Sequence, residues 1–189
     1  MKRLKKFYNL VEALENLPSI GKKSASRLAF HMVLENSYDA LKIAHAIEDA
    51  LSHIKKCSMC GGLSEDEICH ICSDENRERE KLCLVESARD IYIIDESGEY
   101  GGYYFVFDRL SEENLERLAK AVESHGTSEI IFAFTPSIQT EALILYIEDR
   151  LKDLGLKFTK IAQGVPTGVR LENVDALSLS KAITERVKT

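Results

Sequence analysis

The residues best suited to chemistry in this chain are four cysteines within CSMCGGLSEDEICHIC, running from Cys57 to Cys72. Cys57 and Cys60 form one Cys-x-x-Cys pair and Cys69 and Cys72 another, separated by eight residues that include Gly61 and Gly62. A Cys-x-x-Cys turn aims both sulfurs at one point, and four thiolates gathered this way suit the closed tetrahedral shell of structural zinc. Two disulfides or four free thiols are the alternatives. An all-sulfur shell leaves no position for a reactive water, so the pattern predicts one zinc ion per chain as a brace, not as a catalyst. His70 lies between two of these ligands, and a complete set of four cysteines makes it a bystander. Cys83, the fifth cysteine, sits in an apolar run and reads as a small buried hydrophobe.

A second chemistry is open to carboxylates. Glu86 ends the run LCLVE (82–86), Asp90 follows four residues later, Asp108 closes a later run, and Glu141 opens a helical stretch. Acids at strand ends face the ligand crevice of an open α/β sheet, and converging ones can hold magnesium for phosphoryl transfer. The competing reading is chance, since 31 acids in 189 residues must place some there.

The third candidate is cationic. In LENLPSIGKKSASRLAFHMV, Pro18 ends one helix and Gly21 permits a turn before a second, carrying Ser24, Ala25, Leu28, Ala29 and Met32. Such a helix–hairpin–helix grips nucleic-acid backbone by turning free amides and a helix N-terminus toward phosphate. Lys23 and Arg27, four residues apart, share one face. An ordinary helix pair with solvated lysines is the plainer reading.

The elements that must hold these groups follow from periodicity. Leu4, Phe7, Val11 and Leu14 predict a first helix, and Leu41, Ala44, Ile47, Leu51 and Ile54 a third over residues 39–55 that packs on the first two. After the cysteines, residues 73–80 read as a charged link. LCLVE, IYII (91–94), YYFVF (103–107), EIIFAF (129–134) and KFTKIA (157–162) then read as strands. Helical spacings over 112–124 and 137–154 lie between them, a turn at 163–168 follows the last, and 175–186 closes as a helix. Strands alternating with helices predict a mostly parallel sheet covered on both faces.

Net charge is −6, but residues 1–36 hold seven Lys or Arg against three Glu, a balance of +4, which leaves −10 for the remainder. A basic head on an acidic body predicts a localised contact with phosphates. No apolar run approaches the length of a membrane span, and the start MKRLKKFYNL lacks the apolar block of a secretion signal, so the expectation is a cytoplasmic protein with reduced thiols.

This order of parts resembles the RecR family of bacterial recombination mediators over essentially the whole chain. GKKSASRLAFHMV is similar to the family's hairpin helix, CSMCGGLSEDEICHICSDENRERE to its zinc segment, LCLVESARDIYIIDESGEYGGYYFVF to the start of its Toprim domain, and IAQGVPTGVRLENVDALSLSKAI to its C-terminal segment. The resemblance implies a multi-domain α+β protein. Its parts would be a DNA-binding helix–hairpin–helix at 1–56, a zinc finger at 57–80, an α/β Toprim domain at 81–163 and a helical C-terminal segment at 164–189. It also implies a non-catalytic DNA clamp, assembled as a dimer or tetramer ring, that works with RecO, and in many bacteria RecF, to help load RecA onto single-stranded DNA during repair. By the same resemblance Lys23 and Arg27 contact DNA with Lys22 beside them, and Glu86 and Asp90 are the Toprim acids, placed for a partner or for magnesium. The rival activity is a magnesium-dependent Toprim nuclease using Glu86, Asp90 and Asp108.

The chain departs from the family pattern in places. Ser19 stands where the hairpin has glycine, residues 107–113 lack the family's glycines and proline, and Gln139-Thr140-Glu141 replaces a Glu-Gly-Glu. Asp175 is present in a segment compared to a Walker B strand, yet no Gly-rich lysine loop accompanies it, so nucleotide hydrolysis has no support.

Overall fold

A computed structural model describes residues 4–162, 164–165 and 167–184, in two compact units, 1–54 and 55–189. The first unit is helical. α1 (Lys5–Glu15) and α2 (Lys22–Phe30) pack through Val11, Ala25 and Ala29, with Phe7, Leu10, Leu14 and Ile20 around them. Small Ala25 and Ala29 let the two backbones approach, and Phe7 closes the contact against Phe30, ring centroids 4.6 Å apart. A π turn, His31–Glu35, leads from α2 to α3 (Ser37–His53), whose N-cap Asn36 accepts from the Asp39 amide. The predicted packing of the third helix is not found. No residue of α3 is buried, and Leu41, Ile47 and Leu51 are 60, 55 and 80% exposed. The apolar stripe is real, but the described residues of the helical unit do not cover it.

The second unit begins with a two-stranded antiparallel ribbon, β1 (Lys55–Lys56) and β2 (Leu63–Ser64), and a short α4 (His70–Ser73). Its body is β3 (Glu78–Val85), α5 (Ala88–Glu96), β4 (Gly102–Val106), α6 (Glu112–His125), β5 (Glu129–Ala133), α7 (Ile138–Leu151) and β6 (Lys157–Lys160). The four long strands form a wholly parallel sheet in the order β4-β3-β5-β6. Strand residues alternate between faces. Leu82 and Leu84 of β3 join Phe105, Ile130 and Phe132 beneath Leu115, Leu118 and Val122 of α6 and Ile147 and Leu151 of α7. Cys83 and Val85 turn the other way, toward Tyr104, Val106, Ile91 of α5 and the four motif cysteines. Both faces are therefore covered, one by helices and the other by α5 with the cysteine knuckle. A short α8 (Ala176–Thr184) follows the sheet, while positions 163, 166, 185 and 186, within the expected turn and last helix, lie outside the described residues.

Two expectations are corrected. IYII forms part of α5, not a strand. Ser87 caps this helix reciprocally with Asp90, and only Ile91 of the run is buried while Ile93 is 61% exposed, a helical and not an alternating pattern. The charged link is also shorter than expected, because β3 already begins at Glu78. Arg77, just before it, anchors the chain by donating from Nε to the Gly102 carbonyl at 2.8 Å and pairing with Asp95 of α5.

Candidate nucleic-acid interface and metal centre

The hairpin between α1 and α2 turns through Ser19, which adopts φ +66°, a left-handed conformation that glycine takes without strain. Gly21 then starts α2 with no side chain capping the helix end and no acid in its first turn. Lys22 and Lys23 occupy that turn instead, and Arg27 follows one turn later on the face of Lys23; all three are exposed, and none pairs with an acid among the described residues. Cations at a helix N-terminus oppose the macrodipole by about 0.3–1 kcal/mol each. An anion placed there would satisfy the free amides and relieve that repulsion together.

The cysteines meet as their spacing predicts. The sulfurs of Cys57, Cys60, Cys69 and Cys72 lie within 4.8 Å of one another, all buried, and are the one group of three or more metal-ligating side chains brought together among the described residues. The 3.6 Å between the Cys60 and Cys69 sulfurs agrees with the roughly 3.8 Å edge of a tetrahedron whose zinc–sulfur bonds are about 2.3 Å. Backbone amides reinforce the sulfurs: Gly62 donates to Cys60 Sγ and Cys69 to Cys57 Sγ, each at 3.3 Å. Hydrogen bonds with Cys60, then Cys69 and Cys72, push the Cys57 thiol down, while Cys72 is pushed up by its three neighbours. Four charged sulfurs this close require a cation between them. Gly61, at φ +77°, lets the loop turn, and a Cβ on Gly62 would come within 3.2 Å of Cys60 Sγ. His70 is exposed and outside the cluster. Cys83 is buried, its thiol pushed up to about 12 by desolvation.

The acids do not converge into a metal site. Glu86 follows β3 at the switch point of the sheet, where connections from β3 and β5 leave in opposite directions, and shares a crevice with Asp90, Ile93, Ile94, Phe134 and Thr135. Glu86 Oε2 accepts from both the amide and the hydroxyl of Thr135, at 2.8 and 2.6 Å. Asp90 Oδ2 accepts from the amide and hydroxyl of Ser87, both at 2.8 Å. Asp108 accepts from Asn114 Nδ2 at 3.1 Å and lies 3.6 Å from Lys56 Nζ. Burial tends to raise its pKa, but Asn114, Lys56 and Arg109 outweigh that and leave it lowered. Glu141 pairs with Lys160. Ser87, Thr135 and Asn114, which occupy these carboxylates, are not singled out by the sequence reading, although Ser87-x-x-Asp90 is a legible capping signal.

Comparison with known proteins decides the family. Residues 7–51 match the pattern described as RecR, helix-hairpin-helix, and residues 54–74 that described as the RecR four-cysteine zinc finger domain. The recombination protein RecR of a Nitratiruptor species is 71% identical over 98% of each chain. The chain belongs to the RecR family. Its other RecR relatives include recombination proteins from Campylobacter jejuni subsp. doylei, 54% identical over 99% of this chain and 98% of that one, and from Helicobacter pylori, 49% identical over 98% and 96%. Within this RecR-family chain the knuckle is a four-cysteine zinc-finger site, and the four buried sulfurs suit one structural zinc ion. It is a recombination protein of DNA repair.

Proposed function

We propose that the chain is a non-catalytic, DNA-binding mediator that grips the nucleic-acid backbone through Lys23 and Arg27, with Lys22 beside them. The observation that carries this reading is the N-terminus of α2, with no acid and no side-chain cap, two lysines in its first turn and an arginine on the next. Zinc braces the knuckle, and its four sulfurs leave no place for substrate. The α/β unit would then serve contacts and assembly. Its crevice, lined by Glu86, Asp90, Ile93, Ile94 and Phe134, combines acids with an apolar floor, a chemistry fit for a basic, amphipathic partner segment, and RecO, which the family resemblance implies, is our candidate for that partner. RecF and RecA would act with the same assembly. In favour of a non-enzymatic role, one oxygen of Glu86 and one of Asp90 are engaged by Thr135 and Ser87 in ties within the fold.

Self-assembly is supported by apolar surface. Leu41, Ile47 and Leu51 of α3 stand exposed, as do Leu4, Tyr8, Phe30, Val33 and Leu34 around α1 and the π turn, a patch of the kind that marks an interface. A cytoplasmic location is supported by cysteines suited to metal rather than to disulfides, and no helix among the described residues is long and apolar enough to cross a membrane.

The test is fluorescence anisotropy of a labelled single-stranded oligonucleotide across a salt series. The double variant K23A/R27A should bind more weakly and flatten the log–log salt slope by roughly 1.4, two contacts at about 0.7 each. Unchanged affinity and slope would overturn the assignment.

A further inference from the structure

The cationic edge of α2 does not stop where the helix does. Lys23, Arg27 and His31 follow one another at intervals of four, so the imidazole continues the row by one more turn. At His31 the backbone widens: the Asn36 amide donates to the His31 carbonyl at 2.9 Å, a five-residue step. Such π turns are rare and occur frequently at functional sites. This turn returns Glu35 to His31, with Nδ1 and Oε2 2.6 Å apart and the two side chains 53 and 69% exposed. Arg27, His31 and Glu35 line one open groove with Leu28 and Phe30. With Nδ1 engaged, Nε2 is the ring nitrogen without a partner among the described residues.

We propose that His31 is a further backbone contact for DNA, held by Glu35 so that Nε2–H of the imidazolium meets a phosphodiester oxygen. The proposal rests on the DNA-binding reading above and extends it by one residue that the cationic pattern of lysine and arginine does not include. A neutral ring that donates Nδ1–H to Glu35 keeps only a lone pair on Nε2, which repels phosphate oxygen; the doubly protonated ring donates from both nitrogens. The contact thus needs the doubly protonated ring, on a side-chain type whose charge changes between pH 5 and 8. The charged groups around the ring are Arg27 and Glu35 on its own run. On the packed elements, Lys5 and Lys6 of α1 line the neighbouring groove, and Asp39 of α3 is held by Asn36 and Lys42.

The experiment measures oligonucleotide affinity of the full chain by anisotropy at pH 6 and pH 8, each across a salt series. The wild-type chain should bind several-fold more tightly at pH 6. In His31→Ala that ratio should fall and the pH 6 salt slope should drop by about 0.7. His31→Gln, which keeps a hydrogen-bond donor without the charge, should lose the ratio equally, and it serves should the alanine variant fail to fold. K23A/R27A should bind more weakly at both pH values yet keep the ratio. A wild-type chain that ignores DNA would overturn the DNA-binding reading. A wild-type chain that binds, with pH ratio and salt slope unchanged in His31→Ala and His31→Gln, would overturn this inference alone.

Discussion

Thr135, the second residue beyond β5, donates both its amide and its hydroxyl to Glu86, the residue directly after β3. The two loops at the switch point of the sheet are thereby tied together through one carboxylate oxygen of Glu86. Glu86→Gln can keep at most part of this pairing and removes the charge that strengthens it. The expected cost is about 1–2 kcal/mol in urea unfolding of the α/β unit. With magnesium or manganese, labelled DNA should stay intact for wild type and variant alike. Cleavage lost in Glu86→Gln would replace the scaffold reading with a catalytic one.

The zinc site should be inseparable from the fold of the second unit. Its cysteines share a buried cluster with Cys83, Val85, Ile91, Tyr104 and Val106, and the Val106 amide donates to the Cys60 carbonyl at 2.7 Å. Cys57→Ser should therefore cost several kcal/mol, on the order of half or less of the ~10–16 kcal/mol of zinc binding to finger peptides. Thermal melting followed by circular dichroism should show the loss, with zinc falling from one per chain by elemental analysis. A variant with wild-type melting and no zinc would show that the ion does not brace this unit.

Ser19 offers a test with the opposite sign. Its φ of +66° places a Cβ in the left-handed region, where a non-glycine residue is strained by about 1–2 kcal/mol, offset in part by the larger backbone entropy that glycine loses on folding. Ser19→Gly should stabilise the helical unit by up to about 1 kcal/mol, read as a higher urea midpoint at an unchanged slope. A loss of stability would mean that the serine side chain, not the backbone, holds the hairpin.

The elements that could be read in advance are those with a local cause. Four cysteines in two short turns have one compact way to meet, and the strand alternation of Leu82, Cys83, Leu84 and Val85 divides cleanly between two faces. IYII is illegible as a strand or helix from its apolar run alone, since four residues fit either period; the capping pair Ser87 and Asp90 decides it. The stripe on α3 shows an amphipathic helix but not what covers it, because periodicity identifies a face and not its partner. Likewise the acids at strand ends are visible, whereas Thr135 and Asn114, which occupy them, come from loops or helices that the run of a single strand does not reveal.

His125 gives the second unit a pH dependence with a defined sign. The ring stacks on Tyr103, centroids 4.2 Å apart and planes 14° from parallel, and burial, then the charge of Arg79, pushes its pKa below 6.5. The neutral ring is the form the fold accepts, so the unfolded chain takes up its proton first as pH falls. The stabilisation is complete above the unfolded value of about 6.5 and is lost as pH drops from there through the lower folded value. His125→Phe keeps an aromatic ring against Tyr103 and removes the titration. Urea midpoints measured at pH 7.5, 6 and 5 should fall more steeply for wild type than for the variant, so the variant's relative stability rises with acidity. Carboxylates elsewhere titrate in both proteins and cancel in that difference. Parallel curves would show that His125 is protonated as readily in the folded chain as in the unfolded one.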